Sequence, residues 1–301
     1  MGEKVTSLSV LIPARNELFL SRTVADVLQH SEADTDVIVV VDGPTEYEIP
    51  AESERVMVIQ LAEPIGQRAA CNLAARESDA DYVMKLDAHC SIGQGFDRIL
   101  LEDIEPDMTI VPRMHNLWAF DWVCPNGHRR YQSPSGPCLE CGEPTERDVV
   151  WIAKHNPDTT SMRFDRDLKF GYWREYKTRQ HGDLVETMSL LGACWMVSRE
   201  RYFELDLCDE GHGSWGQQGT EIACKTWLSG GRLICDKRTR FAHLFRTQGK
   251  DFGFPYPLAN ADVEKARAYS KWLWLGNNWP KARRPLAWLI EHFAPVPGWE
   301  D

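Results

Sequence analysis

Val37 to Val41 reads VIVVV, five consecutive residues that all branch at Cβ. Such a run crowds a helix, suits a pleated strand, and offers water no polar face, so it must be a strand covered on both sides. Asp42-Gly43-Pro44 stops it. Upstream, Ser7 to Pro13 (SLSVLIP) is a strand with a continuous apolar centre, and Ala14-Arg15-Asn16-Glu17 breaks from it into a helix running to about His30. Strand, helix and buried strand in that order make a right-handed βαβ unit at the start of a parallel sheet. Val56 to Leu61 is a third strand, Gly66 to Ser78 (GQRAACNLAARES) an Ala-rich helix, and Tyr82 to Leu86 a further strand. The fold class is therefore α/β. In open α/β sheets ligands bind beyond the carboxyl ends of the strands, which gathers Pro13–Glu17, Asp42 and Asp87–His89 around one crevice.

The last of these strands runs out into Asp87-Ala88-His89-Cys90. In extended chain, residues two apart point to one face, so the Asp87 carboxylate and the His89 imidazole can grip one divalent cation of the Mn²⁺, Zn²⁺ or Co²⁺ kind. On spacing alone the same residues also fit a strand end, with Asp87 opening a turn and His89 on the surface. Formal net charge is −11, which argues against coating nucleic acid through bulk charge and leaves room only for a local basic groove. The polar start, Met1 to Thr6, shows no basic segment followed by an apolar run, and no apolar stretch reaches membrane-spanning length. The nine cysteines are odd in number, and Cys71, Cys194 and Cys224 sit in apolar surroundings. The expected setting is thus a reducing cytoplasm, with no membrane partner.

The order SVLIPARNE, VIVVVDG, GQRAACNLA and LDAHC resembles the GT-A glycosyltransferases of the large inverting family, and more narrowly the polypeptide N-acetylgalactosaminyltransferases, which carry Asp-X-His where most relatives carry Asp-X-Asp. The downstream half is similar too. Leu191-Gly192-Ala193-Cys194-Trp195-Met196-Val197 with Arg199 and Tyr202-Phe203 resembles the family's Gly-rich strand and basic-Tyr-Phe. Trp215-Gly216-Gln217-Gln218-Gly219-Thr220-Glu221-Ile222 resembles its Trp-Gly-Gly-Glu-Asn-X-Glu-Ile, and Gly230-Gly231-Arg232-Leu233 with Phe241-Ala242-His243-Leu244-Phe245-Arg246 completes the set. The resemblance covers roughly residues 7–116 and 185–246. It implies a Rossmann-like GT-A nucleotide-sugar transferase core, a UDP-sugar donor, a catalytic Mn²⁺ (or Mg²⁺), and His243 as third ligand beside Asp87 and His89. Gln218 and Gly219 depart from the family's Glu-Asn, which puts sugar preference and acceptor contacts in doubt. The family's lectin domain and membrane anchor are not seen.

Beside the resemblance stands the chemistry. A cation on Asp87, His89 and His243 can act as Lewis acid on a diphosphate, and Arg246 can add a bidentate phosphate contact. Pro13, Ala14, Arg15 and Glu17 line the same nucleotide site. Asp42 can accept from a uracil N–H or cap its turn. Arg68 can face phosphate or remain a solvated helix residue. Glu221 is the leading carboxylate for taking the acceptor proton, or it simply opens the helix EIACKTWL. Trp215 walls the sugar pocket or packs in the core.

Between the halves, Cys124-Pro-Asn-Gly-His128 and Cys138-Leu-Glu-Cys141-Gly142 form two close pairs of soft ligands nine residues apart, the pattern of a zinc ribbon with a closed, structural Zn²⁺. Arg163 to His181 mixes cations with Phe164, Phe170, Tyr172, Trp173 and Tyr176, suited to stacking bases, holding sugar or peptide, or lying as a charged surface segment. Ala261 to Trp299 reads as a helical, Trp-rich tail. The expected organisation is 1–117 nucleotide-sugar half, 118–150 ribbon insertion, 151–250 acceptor half and 251–301 helical extension. Cytoplasmic character, ribbon and basic-aromatic stretch together point to a hydroxymethylated pyrimidine in DNA as acceptor, with Arg129, Arg130 and Tyr131 on the flanking duplex, as in virus-encoded enzymes of this kind. The alternatives are a protein Ser/Thr or glycan acceptor, and an inactive GT-A scaffold serving as a nucleic-acid-binding module.

Overall fold

The computed structural model describes residues 6–132, 134–246, 252–254 and 260–300; of the polar N-terminal stretch only Thr6 falls within them. In chain order the elements are β1 Ser7–Ala14, α1 Leu20–His30, β2 Asp34–Val41, β3 Val56–Gln60, α2 Gln67–Glu77, β4 Tyr82–Leu86, β5 Cys90–Ile92, α3 Phe96–Asp103, β6 Met108–Val123, β7 Arg129–Tyr131, β8 Glu146–Lys154, β9 Met162–Phe164, β10 Phe170–Tyr172, β11 Leu184–Glu186, β12 Cys194–Ser198, α4 Arg199–Glu204, α5 Gln218–Leu228, β13 Arg232–His243, α6 Asn260–Trp274 and α7 Leu286–Phe293. No helix among the described residues is long and apolar enough to cross a membrane.

One twisted sheet carries the order β11-β13-β6-β12-β4-β1-β2-β3. The β4-β1-β2-β3 half is parallel, as the βαβ reading requires. At β12 the direction reverses, since β12 runs antiparallel to both β4 and β6. The VIVVV run is buried on both faces. Val37, Val39 and Val41 belong to the apolar cluster that includes Leu20 and Val24 of α1 and Phe96 and Leu100 of α3. Ile38 and Val40 belong to the cluster on the other face, with Ala70 and Ala74 of α2. The small side chains of α2 let that helix lie close to the sheet. Helix α1 begins only at Leu20, because Asn16 turns through a left-handed φ of 47° and delays it.

Strand β6 is sixteen residues long and serves two sheets' worth of pairing. Its first part pairs with β12 and β13 in the core, and its last part pairs with β7 and β8. The boundaries expected at 118 and 150 therefore fall inside β6 and β8. What projects is the hairpin tip between them.

The C-terminal tail is helical, as two helices joined by the turn-rich stretch 275–285. It packs on the core: Phe293 is fully buried against Trp173, Tyr176 and Trp227. Cutting Phe293 to Ala removes a buried ring whose loss typically costs about 3–5 kcal/mol. The Phe293→Ala variant should unfold at correspondingly lower urea; an unchanged midpoint would mean the tail does not brace the core.

Candidate active site

The carboxyl ends of β1, β2 and β4 open on one cavity of about 520 Å³. Pro13, Ala14, Arg15, Glu17, Asp42, Asp87 and His89 all line it, joined by His243 and Arg246 from the end of β13 and by Trp215. The expected crevice is thus assembled. The far contributor arrives by register: β13 pairs antiparallel with β5, setting His243 opposite Cys90, next to His89.

His243 Nε2 lies 3.2 Å from Asp87 Oδ2 and 3.2 Å from His89 Nε2, and His89 Nε2 lies 3.9 Å from Asp87 Oδ2. Metal–N and metal–O bonds of about 2.0–2.2 Å put adjacent ligands about 3 Å apart, so this spacing fits one divalent ion. Asp87 and the two imidazoles supply the mixed O and N donors that suit Mn²⁺. His89 has the outer partner that such ligands commonly have: Glu17 sits 3.2 Å from its Nδ1. Glu17 also pairs with Arg246. Burial pushes the Glu17 carboxyl up, but His89 and Arg246 outweigh burial and hold it below its ordinary value. Burial pushes the His243 imidazole down to about 4, against the opposing pull of Asp87. That leaves the ring neutral at physiological pH, the form a metal needs. His243 Nδ1 is buried without a hydrogen-bond partner among the described residues.

Lys85 is the residue sequence reasoning passed over. It is fully buried in β4, pairs with Asp87 Oδ1, and donates to the Gly192 carbonyl at 2.8 Å. Burial would strip its proton, yet Asp87 overrides this and raises its pKa. Asp87 in turn is held well below the carboxylate range, burial notwithstanding, by Lys85 and the two histidines. One carboxylate oxygen is thereby committed to Lys85 and the other faces the histidines. The signal was available: a lone cation inside the apolar strand YVMKL.

Two expectations are corrected. Arg68 does not face the cavity as a phosphate ligand. It is 1% exposed, and its Nε donates to Glu221 at 3.0 Å while its two Nη groups donate to the Gly213 and Gly216 carbonyls. Its role is to clamp the loop that carries Trp215. Glu221 is fully buried and absent from the cavity wall, although its neighbours Gly219 and Thr220 line it. Its carboxylate accepts from Arg68, Lys225 and the Asp209 backbone N–H, which leaves it structural rather than placed to take an acceptor's proton. Asp42 lines the cavity but its carboxylate accepts the Ile65 and Gly66 backbone N–H groups just ahead of α2, which ties the end of β2 to that loop rather than capping its own turn. Gly219 stands where the resembling family has Asn because an added Cβ would fall 1.9 Å from the Leu190 carbonyl oxygen. Trp215 is half-buried against Phe254 and walls the cavity.

Residues 9–123 match the family model of glycosyl transferase family 2. Mouse polypeptide N-acetylgalactosaminyltransferase 4 is 25% identical over 286 residues, covering 88% of this chain and 43% of that protein. Human N-acetylgalactosaminyltransferase 7 is 28% identical over 178 residues, covering 58% of this chain and 24% of that protein. The chain spans less than half the length of these curated relatives. Among solved structures, that of GalNAc-T7 with UDP, GalNAc and Mn²⁺ superposes with a TM-score of 0.65 at 17% identity, covering 97% of this chain and 57% of that one.

Burial raises the Glu221 carboxyl, but Lys225 and Arg68 outweigh it and bring the pKa down to about 2 from an ordinary 4.5. Folded Glu221 therefore holds its proton more weakly than unfolded Glu221, so the stability it contributes is present above about pH 5 and is lost as pH falls toward 2. Between pH 7 and pH 3 that loss is about 2 kcal/mol. His212, pushed down to about 4 chiefly by burial, adds a loss of the same sign that begins below its ordinary 6.5. Urea titrations should show Glu221→Gln less stable at pH 7 and with a shallower decline from pH 5 to 3; a decline as steep as that of the unsubstituted protein would remove Glu221 from the acid response. Through its sheet order, its crevice and these likenesses, the chain has the GT-A fold, and its residues 9–123 match the glycosyl transferase family 2 model.

Proposed function

We propose that the protein is a metal-dependent glycosyltransferase that moves a hexose or N-acetylhexosamine from a UDP-sugar to a hydroxyl acceptor. The observation that carries this reading is the convergence of Asp87, His89 and His243 on one point of the cavity wall, with Lys85 and Glu17 fixing two of them from behind. A Mn²⁺ ion held there would supply Lewis-acid stabilisation of the departing diphosphate. Glu17 orients His89, Lys85 fixes which Asp87 oxygen faces the ion, and the apolar wall with Trp215 shields the sugar from water. Among the described residues, the carboxylates on the wall are those of Glu17, Asp42 and Asp87, and each is already engaged. In this reading the donor's own diphosphate takes the proton leaving the acceptor hydroxyl as the sugar–phosphate bond breaks and the new glycosidic bond forms.

For the acceptor we infer a protein Ser/Thr or glycan hydroxyl, the class suggested by the names of the similar N-acetylgalactosaminyltransferases. The features first read as a DNA surface are largely occupied. Phe164, Trp173 and Tyr176 are buried, Arg163 and Arg179 donate to C-terminal carbonyls, and Arg129 is paired with Asp121 and Asp148. A hydroxymethylated base in DNA is the second reading, favoured by one observation: Lys169 and Phe170 reach the cavity while Phe170 and Tyr172 keep exposed rings in edge-to-face contact.

Incubation with Mn²⁺, a panel of UDP-sugars, and peptides, glycans or hydroxymethylated duplex DNA, read by product mass, separates the two. Product on peptide or glycan alone supports the first reading; product on hydroxymethylated DNA alone replaces it with the second; no transfer or UDP release from any donor overturns the enzyme. Within an active reaction, Asp87→Ala should lower turnover more than roughly 100-fold, and Glu17→Gln roughly 10–100-fold with a raised Mn²⁺ requirement. Wild-type activity of Asp87→Ala in chelator would sink the metal assignment.

A further inference from the structure

The hairpin tip between β6 and β8, residues 124–145, has almost nothing to fold around. Its sequence is CPNGHRRYQSPSGPCLECGEPT, and its one aliphatic side chain larger than alanine outside the prolines, Leu139, is 82% exposed. Tyr131 is also exposed, with its ring tilted at 55° against that of Trp118. A segment of this length with no apolar core needs some other organiser. Yet Cys124 and Cys138 are buried at its centre, and Cys141 and His128 turn toward them.

We propose that Cys124, His128, Cys138 and Cys141 form a second metal site, a closed tetrahedral Cys₃His zinc centre that is independent of the cavity and holds the tip together. The edge lengths carry this assignment. His128 Nδ1 lies 3.5 Å from both Cys124 Sγ and Cys138 Sγ, and Cys124 Sγ lies 3.7 Å from Cys141 Sγ. A tetrahedron with zinc–sulfur bonds of about 2.3 Å and a zinc–nitrogen bond of about 2.0–2.1 Å has S···S edges of about 3.7–3.8 Å and S···N edges of about 3.5 Å. The same distances are too long for a disulfide, whose sulfurs stand about 2.0 Å apart.

A glycine-closed turn follows the first cysteine on each side of the centre, three residues on in one case and four in the other. Gly127 donates to the Cys124 carbonyl at 2.9 Å, and Gly142 donates to the Cys138 carbonyl at 2.9 Å. Both glycines have left-handed φ, 82° and 76°, with open space where a Cβ would stand, so conformation rather than crowding selects glycine. The outer contacts also suit a bound metal. Glu140 places a carboxylate oxygen 3.5 Å from His128 Nε2, the ring nitrogen left over once Nδ1 is a ligand. Asn126 donates from Nδ2 to Cys141 Sγ at 3.4 Å, a hydrogen bond that favours the thiolate. On binding, the three thiols release three protons to solvent and Zn²⁺ takes their place, so the centre carries a formal charge of −1 with a neutral imidazole. Four protein ligands leave no position for water or substrate, which makes the site structural.

The test uses the full chain. Metal analysis after brief treatment with a chelator that strips the cavity ion should find about one zinc per chain. Asp87→Ala with His243→Ala should keep that zinc, and Cys138→Ser with Cys141→Ser should lose it. Should the cysteine variant fail to fold, Co²⁺ exchanged into the unsubstituted protein gives the independent readout: intense visible absorption from tetrahedral thiolate-bound cobalt, with a sulfur-to-metal charge-transfer band. Zinc that disappears with the cavity variant, a metal-free protein, cobalt spectra of an octahedral oxygen and nitrogen site alone, or a Cys124–Cys141 disulfide found by mass spectrometry would each overturn the proposal.

Discussion

The cavity depends on one register. His243 stands opposite Cys90 because β13 pairs antiparallel with β5, and this sets its imidazole against His89 and Asp87. Side chains alternate across a sheet, so a slip of one residue would turn His243 to the other face and leave the cluster with two ligands. That register is held from several sides. β13 also runs parallel to β6 over its length, with an irregularity between Asp236 and Arg240 that lets the strand follow both partners. Beyond the strand end, the Leu244 backbone N–H donates to the His89 carbonyl, tying the two ligand-bearing segments directly.

Behind the cluster, charge is arranged in two shells of unlike purpose. Around the ligands, Lys85 and Glu17 each commit one atom of a ligand and thereby aim the other. Around Glu221, the charges aim at nothing in the cavity. Arg68, Lys225 and His212 surround a carboxylate sealed from water, and the guanidinium uses its remaining donors on the Gly213–Gly216 loop. Breaking such a pair leaves an uncompensated buried charge, which is far costlier than losing a surface ion pair. The loop bearing Trp215 is therefore fastened to the core on either side of that residue.

How much of this was legible follows from which interactions are local. The VIVVV strand and the Tyr82–Leu86 strand could be read directly, because burial on both faces and a short apolar run are properties of adjacent residues. Asp87 and His89 could be placed on one crevice by topology alone. His243 could not: only resemblance joined it to a partner 154 residues away. Glu221 was misread for a physical reason. All but one residue of α5 is buried, so the helix has no solvent face from which to tell which way a charged residue points. The Arg163–His181 stretch misled similarly, since its composition is that of a surface while Phe164, Trp173 and Tyr176 sit in the core and Arg163 and Arg179 bond C-terminal carbonyls.

The long strand β6 has a consequence in time. The hairpin tip it carries closes contacts between residues 17 apart, whereas the Asp87–His243 contact closes over 156. On a ribosome the tip's four ligands emerge together and can be joined while the rest of the chain is still being made; the cavity's ligand set waits for β13. When the tip is complete, Asp87 and His89 have already emerged but His243 has not, so the cavity's set still lacks one member while the three cysteines and His128 are all present. If the tip binds zinc as proposed, that ion can be seated before the cavity's ligand set exists.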